Sequence, residues 1–284
     1  MHTVEQLGLL KIDFLGLRNL SIVDRTLELI GSESLDIDNL KLDDEKTFKL
    51  FAEGKMTGVF QLESRVAQST SRSLKPKRFE DIVALVALIR PGPLGAGMHN
   101  EFADRANNRK EIEYLHNDLE SILNETYGVI LYQEQVMQIA EKIAGFNLQE
   151  ADNLRVAMGK KIPKVMEEQR KKFTDGAVSN NYSEQFAIEL FDQIAYFAGY
   201  GFNKSHSVPY ALLAYQTAYL KANYPAEYIA ACLTAVKRDK DRTAIFLSEA
   251  RDMGVKVSTP DINLSSSDFT VNDNEILFGL SAVR

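Results

Sequence analysis

Cysteine is almost absent from this chain of 284 residues, which contains Cys232 alone. One cysteine cannot form an internal disulfide or a thiolate cage for zinc, and such scarcity fits a reducing compartment. No stretch approaches the ~20 uncharged apolar residues that a membrane helix needs, and the first residues lack the basic and apolar segments of a secretory signal. We therefore expect a soluble, cytoplasmic protein without structural zinc or a membrane span.

Signature motifs of several enzyme classes are also absent. The sequence contains no HExxH, no GxSxG, no Walker loop of the form GxxxxGK[ST], and no paired carboxylates at glycosidase-like spacing. Apolar residues make up 45% of the chain and charged residues 26%, which suffices for one large core or two modest ones. The chain is therefore expected to be globular, with chemistry outside those enzyme classes.

Charge is unevenly distributed along the chain. The net charge is −7, yet five basic residues and no acid lie between Arg65 and Arg78, and seven basic residues face two acids between Arg155 and Lys172. Each island has a net charge of +5, so the rest of the chain carries −17. Two positive islands in an acidic body can hold a polyanion, or they can be ordinary solvated helix faces. The sequence leaves both interpretations open.

Hydrophobic periodicity predicts one strand followed by a long helical body. Alternating apolar and polar residues over 9–17 indicate a strand with one buried face. Ser21, with Asp24 three residues later, has the form of a capping box that opens a helix ending at Gly31. The other predicted helices span 79–89, 132–144 before Gly145, 148–158 after an Asn147–Glu150 cap, 183–198 before Gly199, 208–222, 226–236 and 242–252.

The pattern changes near the end of the chain. Residues 255–263 are extended and interrupted by Pro260, and two short strands flank the turn at 272–274. The sequence thus predicts a mainly α fold with one N-terminal strand and a short β segment at the C-terminus.

Lys11 and Asp13 are the first candidate site residues. Side chains two apart on a strand leave the same face. A carboxylate can hold Mg²⁺, and a neighbouring lysine can neutralise phosphate oxygens, as phosphoryl transfer requires. An exposed Lys/Asp face of an edge strand has the same spacing, so the pair alone does not distinguish a phosphoryl-transfer site from an exposed strand face.

Arg90 is the second candidate, in the segment ALIRPGPLGAG at 87–97. Proline fixes the backbone and glycine allows close approach, so this loop could present one arginine to a ligand. A helix that simply stops at a proline, with its last arginine near the negative end of the dipole, has the same pattern.

The third candidate is GYGFNKSHSVPY, residues 199–210. Aromatic rings, glycines, Lys204, Ser205 and His206 precede a predicted helix, and this combination favours an anionic aromatic ligand such as a nucleotide. The alternative is a loop without a ligand.

A fourth candidate is a cluster of cations around Gly159, formed by Arg155, Lys160, Lys161 and Lys164. Such a cluster near a helix end could bind phosphate or the backbone of a DNA strand.

The chain contains, in order, the segments GLLKIDFLGLRNL, TGVFQLES, FEDIVALVALIRPGPL, TYGVILYQEQVMQIA, EADNLRVAMGKK and FAGYGFNKSHSVPYALLAYQTAYLKANYP. Together they resemble the alpha subunit of bacterial DNA polymerase III, the replicative C-family polymerase, over nearly the whole chain. The resemblance implies the last palm strand at 1–18, a large helical fingers domain at 19–258, and the start of the helix-hairpin-helix and clamp-binding region at 259–284.

The resemblance also implies roles for individual residues. Asp13 corresponds to the third of three metal-binding aspartates, and Lys11 to a triphosphate contact. Arg90 and Lys204 would contact the incoming deoxynucleoside triphosphate, with His206 near its sugar. The implied neighbours of the pocket or of the template are Gln61, Ser64, Tyr200, Lys160 and Lys161.

One departure from the family affects the expected activity. The paired palm aspartates of the family have no counterpart in these 284 residues, which leaves Asp13 alone. Two Mg²⁺ ions about 4 Å apart are poorly held by a single carboxylate. We therefore expect an internal fragment of a DNA-dependent DNA polymerase that is inactive by itself.

Two alternatives to that expectation are a nucleotide- or DNA-binding module without catalysis and a purely structural helical scaffold. The partners implied by the resemblance are template–primer DNA, the deoxynucleoside triphosphate, and a sliding clamp with other replisome subunits, bound through regions mostly absent here.

Overall fold

A computed structural model describes residues 7–9, 12, 17–31, 35–160, 163–198 and 200–283. The predicted N-terminal strand at 9–17 falls largely outside these described residues. In the described part of the chain 65% of the model is helical, with fourteen α-helices and one three-stranded sheet, which confirms the mainly α prediction.

The helices are α1 (Arg18–Ile30), α2 (Glu45–Glu53), α3 (Arg65–Leu74), α4 (Phe79–Leu88), α5 (Pro91–Gly95), α6 (Met98–Ala106), α7 (Glu120–Leu123), α8 (Gln133–Ala144), α9 (Leu148–Lys160), α10 (Pro163–Ser179), α11 (Glu184–Ala198), α12 (Lys204–Asn223), α13 (Pro225–Val236) and α14 (Lys240–Asp252). The strands are β1 (Lys256–Val257), β2 (Thr270–Asn272) and β3 (Glu275–Leu277). Short 3₁₀ turns occupy Ile37–Asn39, Asn117–Leu119, Asn124–Thr126 and Leu280–Ala282.

The chain divides into two compact units. The larger unit is Ile37–Asn223, and the other contains the described residues before and after it. In the larger unit, α12 packs along α4 and α2, and these helices share a core with α3 and α6. A second core in the same unit joins α8, α9, α10 and α11. Every described site candidate belongs to this unit.

In the smaller unit, α13 packs against α1 and α14, and the sheet has the order β1-β3-β2. β1 pairs with β3 in parallel, and β2 pairs with β3 as an antiparallel hairpin. Asp273 and Asn274 at its turn have φ of 45° and 64°, which are the left-handed values that a two-residue hairpin loop requires. This confirms the two strands predicted around that turn.

Local signals located several helix ends correctly. The Asn147 side chain accepts the Glu150 N–H at 3.0 Å and the Glu150 carboxylate accepts the Asn147 N–H at 2.9 Å, which is the predicted capping box. Gly145 ends α8 with a φ of 67°, also as predicted.

Three other local predictions are wrong. The helix predicted to open at Ser21 begins at Arg18, so Ser21 and Asp24 lie inside α1 and form no cap. The RPGP segment is not a loop: Pro91 begins the short helix α5, because proline suits a first helical position.

The third correction concerns the start of α12, which was predicted at Val208. The helix begins at Lys204 because the Asn203 side chain accepts the His206 N–H at 2.9 Å and caps the helix there. Pro209 therefore lies within α12, where it has no N–H to donate to the Ser205 carbonyl.

Candidate functional site

Arg90 directly precedes α5 and is fixed by three contacts. Its Nε donates to the Ala87 carbonyl at 2.8 Å, and its Nη2 donates to the Tyr200 carbonyl at 2.6 Å. The guanidinium carbon lies 4.3 Å from the centre of the Phe202 ring, within the range of a cation–π contact. Burial lowers the pKa of the Arg90 guanidinium. The RPGP and GYGF segments, 110 residues apart, are thus brought together.

Gly92 allows the close approach of these two segments. A Cβ atom at Gly92 would lie 2.3 Å from Cδ1 of Tyr200, far inside van der Waals contact. The Tyr200 ring therefore packs directly on the backbone of α5. Tyr200 contributes its ring to this packing and its carbonyl to Arg90.

His206 belongs to a row of four aromatic side chains that we call the aromatic row: Phe202, His206, Tyr210 and Phe60. Neighbouring ring centres lie 5.5, 4.3 and 5.3 Å apart, in that order. His206 is exposed in the middle of the row. The row runs from the guanidinium of Arg90 to the residue before Gln61.

Gln61 and Ser64 of the QLES motif lie near the far end of the aromatic row in sequence. Gln61 is exposed and has a left-handed φ of 61°. Ser64 is the N-cap of α3, and its hydroxyl accepts the Ala67 N–H at 3.2 Å. Ser64 therefore has a structural role as a cap, and both side chains are exposed.

Lys204 opens α12 and is held at both its backbone and its side chain. Its Nζ lies 2.6 Å from Oε2 of Glu125 and 5.5 Å from the centre of the Tyr132 ring. Its backbone N–H donates to both carboxylate oxygens of Glu134, at 3.1 and 3.0 Å. The side chains of Lys204 and Glu125 are 35% and 30% exposed, so the ion pair remains open to a ligand.

A short strand-like contact brings the start of α8 beside the start of α12. The Phe202 N–H donates to the Leu131 carbonyl at 3.1 Å, and the Gln133 N–H donates to the Phe202 carbonyl at 2.9 Å. This bridge carries Tyr132 and Glu134 to Lys204. The start of α8 thus supplies the Tyr132 ring and the Glu134 carboxylate around Lys204, whereas Glu125 comes from the 3₁₀ turn Asn124–Thr126.

Behind Glu125 lies a buried network centred on Asp81, which is 2% exposed. The Tyr127 hydroxyl donates to Oδ1 of Asp81 at 2.8 Å, and Nε of Arg78 donates to the same oxygen at 3.2 Å. Nη2 of Arg78 also donates to the Glu125 carbonyl at 2.7 Å. The network therefore fixes the backbone that carries the partner of Lys204.

Burial shifts the pKa of both tyrosines in this region upward. Burial, followed by the charge of Asp81, raises the pKa of Tyr127 to about 12. Burial and then the charges of Glu125 and Glu134 raise the pKa of Tyr132 far above its usual value. Both phenols therefore act as neutral groups at physiological pH.

Sequence reasoning missed Glu125, Glu134, Tyr132 and the Asp81 network. The signal that could have found Glu125, Tyr132 and Glu134 is the presence of acids and tyrosines in the otherwise apolar segment ETYGVILYQEQ, residues 125–135, which runs into a helix.

The described residues place none of the remaining candidates in this cluster. Lys11, Asp13 and Lys161 lie outside the described residues, and the side chain of Lys160 is not described either. Arg155, on α9, donates to the Asp152 carboxylate at 2.8 Å, and Lys164 is exposed on α10. Among the contacts of the described residues, none joins Arg155 or Lys164 to Arg90 or Lys204.

A cavity of about 850 Å³ lies elsewhere in the larger unit. Residues of α6, α7 and α11 and of the segments 113–115 and 128–130 line it. No described site candidate is among its lining residues, so it gives no support to the cluster around Arg90.

No group of three or more His, Cys, Asp or Glu side chains among the described residues is arranged to hold a metal ion. No helix in the described part of the chain is long and apolar enough to cross a membrane.

Known proteins match this chain closely. The profile of the family described as "Bacterial DNA polymerase III alpha subunit finger domain" matches residues 19–181, and that of the "Helix-hairpin-helix motif" matches residues 254–284. The relatives named "DNA polymerase III subunit alpha" from Saccharopolyspora erythraea, Escherichia coli K12 and Mycobacterium tuberculosis are 49%, 48% and 47% identical to it.

Each alignment covers 99% of this chain, but the chain spans only about a quarter of the length of these relatives, 24% or 25%. The matches confirm the resemblance read from the sequence motifs. The chain belongs to the bacterial DNA polymerase III alpha subunit family, and its residues 19–181 correspond to the finger domain of that family.

Proposed function

We propose that this chain provides the nucleotide-binding fingers surface of a DNA-dependent DNA polymerase. Arg90 and Lys204 bind the triphosphate of an incoming deoxynucleotide, and His206 contacts its sugar. The names of the relatives support the reaction class, and the geometry around Arg90 supports the location.

The observation that carries the proposal is the placement of Arg90 on the Phe202 ring, two residues before Lys204. A guanidinium has five N–H donors, and the two carbonyl contacts use only two of them. The remaining donors and the Lys204 ammonium suit the oxygens of a polyphosphate. Because both cations are held before a ligand arrives, little side-chain ordering is needed on binding.

His206 is proposed to recognise the sugar. Its ring is exposed, yet it is fixed between Phe202 and Tyr210 in the aromatic row. A fixed ring beside the sugar would leave no room for a ribose 2′-hydroxyl, so His206 would help to reject ribonucleotides. Tyr200 and Gln61 are proposed as neighbours of the same pocket.

Mg²⁺ is the cofactor expected for such a reaction, with Asp13 as a ligand. When bound, the ions would activate the primer 3′-hydroxyl and neutralise the charge that develops on the phosphates. The described residues contain no cluster of metal ligands, and Asp13 lies outside them. The contacts proposed for the described side chains are therefore with the phosphates and the sugar.

We also propose template–primer DNA as the substrate, with contributions from Arg155, Lys160, Lys161 and Lys164. The match to the helix-hairpin-helix motif supports DNA binding. A sliding clamp and other replisome subunits are proposed partners through parts of the longer relatives that this chain does not span. This chain is proposed to act in the cytoplasm.

The proposal can be tested by titrating the chain with a fluorescent deoxynucleoside triphosphate in the presence of Mg²⁺. Lys204→Met removes the charge but keeps the aliphatic stem, and we expect at least a tenfold loss of affinity. Lys110→Met, which removes a lysine paired with Glu101 elsewhere in the larger unit, is the matched control and should leave the affinity unchanged. Equal affinities for the wild type and Lys204→Met would contradict the assignment.

Primer extension tests whether this chain, with Asp13 as its single expected metal-binding carboxylate, can catalyse synthesis. We expect no extension by the 284-residue chain alone, because one carboxylate holds a pair of ions poorly. Templated synthesis by this chain would refute the single-carboxylate argument.

A further inference from the structure

We propose that the exposed basic side chains of α3 and of the turn after it bind the phosphate backbone of DNA. This surface, called here the basic face, consists of Arg65, Arg72, Lys75 and Lys77. The choice of DNA rests on the proposed function, but the surface itself is separate from the proposed nucleotide pocket.

The basic face is presented by a well-anchored helix. The inner side of α3 is buried through Ala67, Thr70, Ser71 and Leu74, and the Ser71 hydroxyl donates to the Phe51 carbonyl at 2.7 Å. Arg65 and Arg72 are seven residues apart on the outer side, so their roots lie two turns or about 10 Å apart along the helix axis. Lys75 and Lys77 follow directly, and all four side chains are exposed.

In the part of the chain that the structure describes, no acid forms an ion pair with the basic face. Within the described part of the chain, none of its four side chains has an ion pair or a side-chain hydrogen bond. Two nearby acids have other partners: Asp81 binds Arg78, and Glu53 binds Lys55. These cations are therefore solvated or available to bind an external anion.

The second basic island differs from the first in this respect. Both islands have a net charge of +5 in the sequence, so charge alone does not distinguish them. In the second island, ion pairs join Arg155 to Asp152, Arg170 to Asp192 and Lys172 to Glu150. Three of its seven cations are thus paired with acids, whereas none of the four cations of the basic face has such a partner among the described residues.

The chemistry of the basic face favours a nucleic-acid backbone over a protein. Protein interfaces are usually anchored by buried aromatic or large apolar side chains. The outer side of α3 offers only Val66, which is 48% exposed. Arginine and lysine without carboxylate partners are the groups that contact DNA phosphates, and such contacts carry no sequence preference.

The test measures binding of this chain to a fluorescein-labelled 20-nucleotide DNA strand, and to its duplex, by anisotropy between 50 and 200 mM NaCl. The test variant is Arg65→Gln/Arg72→Gln/Lys75→Gln. The control variant, Lys110→Gln/Arg170→Gln/Lys172→Gln, loses the same charge from cations that are already paired. Thermal melting checks that each variant is folded.

We expect the test variant to bind single-stranded DNA at least tenfold more weakly at 50 mM NaCl. The slope of log K against log salt should become shallower by about 2, because each lost phosphate contact removes about 0.7. The control should change affinity less than threefold, and the comparison with the duplex shows which form of DNA the face prefers.

Equal weakening of both variants would overturn the proposal, because net charge alone would then explain binding. An unchanged test variant, or a wild type that binds no DNA, would also overturn it and would point to an acidic protein partner. If the test variant unfolds, the single reversals Arg65→Glu and Lys77→Glu provide the same comparison. The titration with the fluorescent triphosphate is a separate experiment. A wild-type chain that binds DNA through the basic face but does not bind the triphosphate would refute the proposed nucleotide pocket only.

Discussion

The ammonium nitrogen of Lys204 lies 2.6 Å from Oε2 of Glu125, a residue 79 positions earlier in the chain. This carboxylate occupies one of the three N–H donors of the lysine. Because the pair is about one-third exposed, it contributes only about 0–1 kcal/mol to folding. Its main consequence is electrostatic, since a negative charge stands beside the cation proposed to bind phosphate.

The first prediction concerns Glu125→Gln. Removing this charge should tighten triphosphate binding by about two- to fivefold, because repulsion of the phosphates outweighs the small benefit of positioning Lys204. Titration with the fluorescent triphosphate measures the change, and it should shrink as salt is added.

A double-mutant cycle and a matched control separate this effect from a general change of charge. Glu125→Gln should have little effect in the Lys204→Met background if the carboxylate acts through the lysine. Glu150→Gln breaks a comparable ion pair with Lys172 and should leave triphosphate affinity unchanged. Weaker binding by Glu125→Gln would instead mean that the carboxylate mainly positions the lysine.

The second prediction uses two glycines of the same short helix. In Gly92→Ala the new methyl group would meet the Tyr200 ring at 2.3 Å, so the ring must move away from α5. We expect a loss of about 1–3 kcal/mol in the free energy of unfolding and weaker triphosphate binding. In Gly95→Ala the methyl group meets nothing within 4 Å, and this variant should be as stable as the wild type or slightly more so.

Urea denaturation of both variants provides the measurement. Similar stabilities for Gly92→Ala and Gly95→Ala would mean that the contact between α5 and Tyr200 does not constrain this part of the fold.

Structural features formed by residues close together in the sequence could be predicted from it. The Asn147–Glu150 cap, the glycine end of α8 and the hairpin turn at Asp273 and Asn274 each depend on groups within four residues of one another. The start of α12 differs from the predicted Val208 because the Asn203 side chain caps the helix earlier, at Lys204.

The candidate site was only partly predictable because its contacts span large distances along the chain. The residue types of Arg90, Lys204 and His206 suggested an anion site, but Arg90 reaches the segment of the other two only through the Tyr200 carbonyl and the Phe202 ring. The pairing of Lys204 with Glu125 and of Tyr127 with Asp81 joins residues 79 and 46 apart. No local pattern encodes such partners.

The third prediction concerns Tyr127→Phe, which deletes the hydroxyl that donates to buried Asp81. We expect a loss of about 1–2 kcal/mol at pH 8, because a buried carboxylate loses one of its donors.

The pH dependence of that loss has a definite sign. The folded pKa of Tyr127, about 12, lies above the value of about 10 for a free tyrosine. The hydroxyl therefore stabilises the fold fully below pH 10, and this contribution is lost as the pH rises towards 12. Urea denaturation at pH 8, 10 and 11 should show the difference between wild type and Tyr127→Phe shrinking at the highest pH, and a constant difference would contradict the pKa assignment.

The fourth prediction tests the contact between α10 and the end of α8 in the second core. A Cβ atom at Gly176 would lie 2.2 Å from the carbonyl oxygen of Ala144, and a backbone atom cannot rotate away as a side chain can. We expect Gly176→Ala to lower the free energy of unfolding by about 2–3 kcal/mol. Gly159→Ala on α9, where the methyl group meets nothing within 4 Å, should instead raise it by about 0.5–1 kcal/mol through the higher helix propensity of alanine. Opposite signs in urea denaturation would support the close packing of α10 on α8, whereas stabilisation by both substitutions would show that the two helices can separate at no cost.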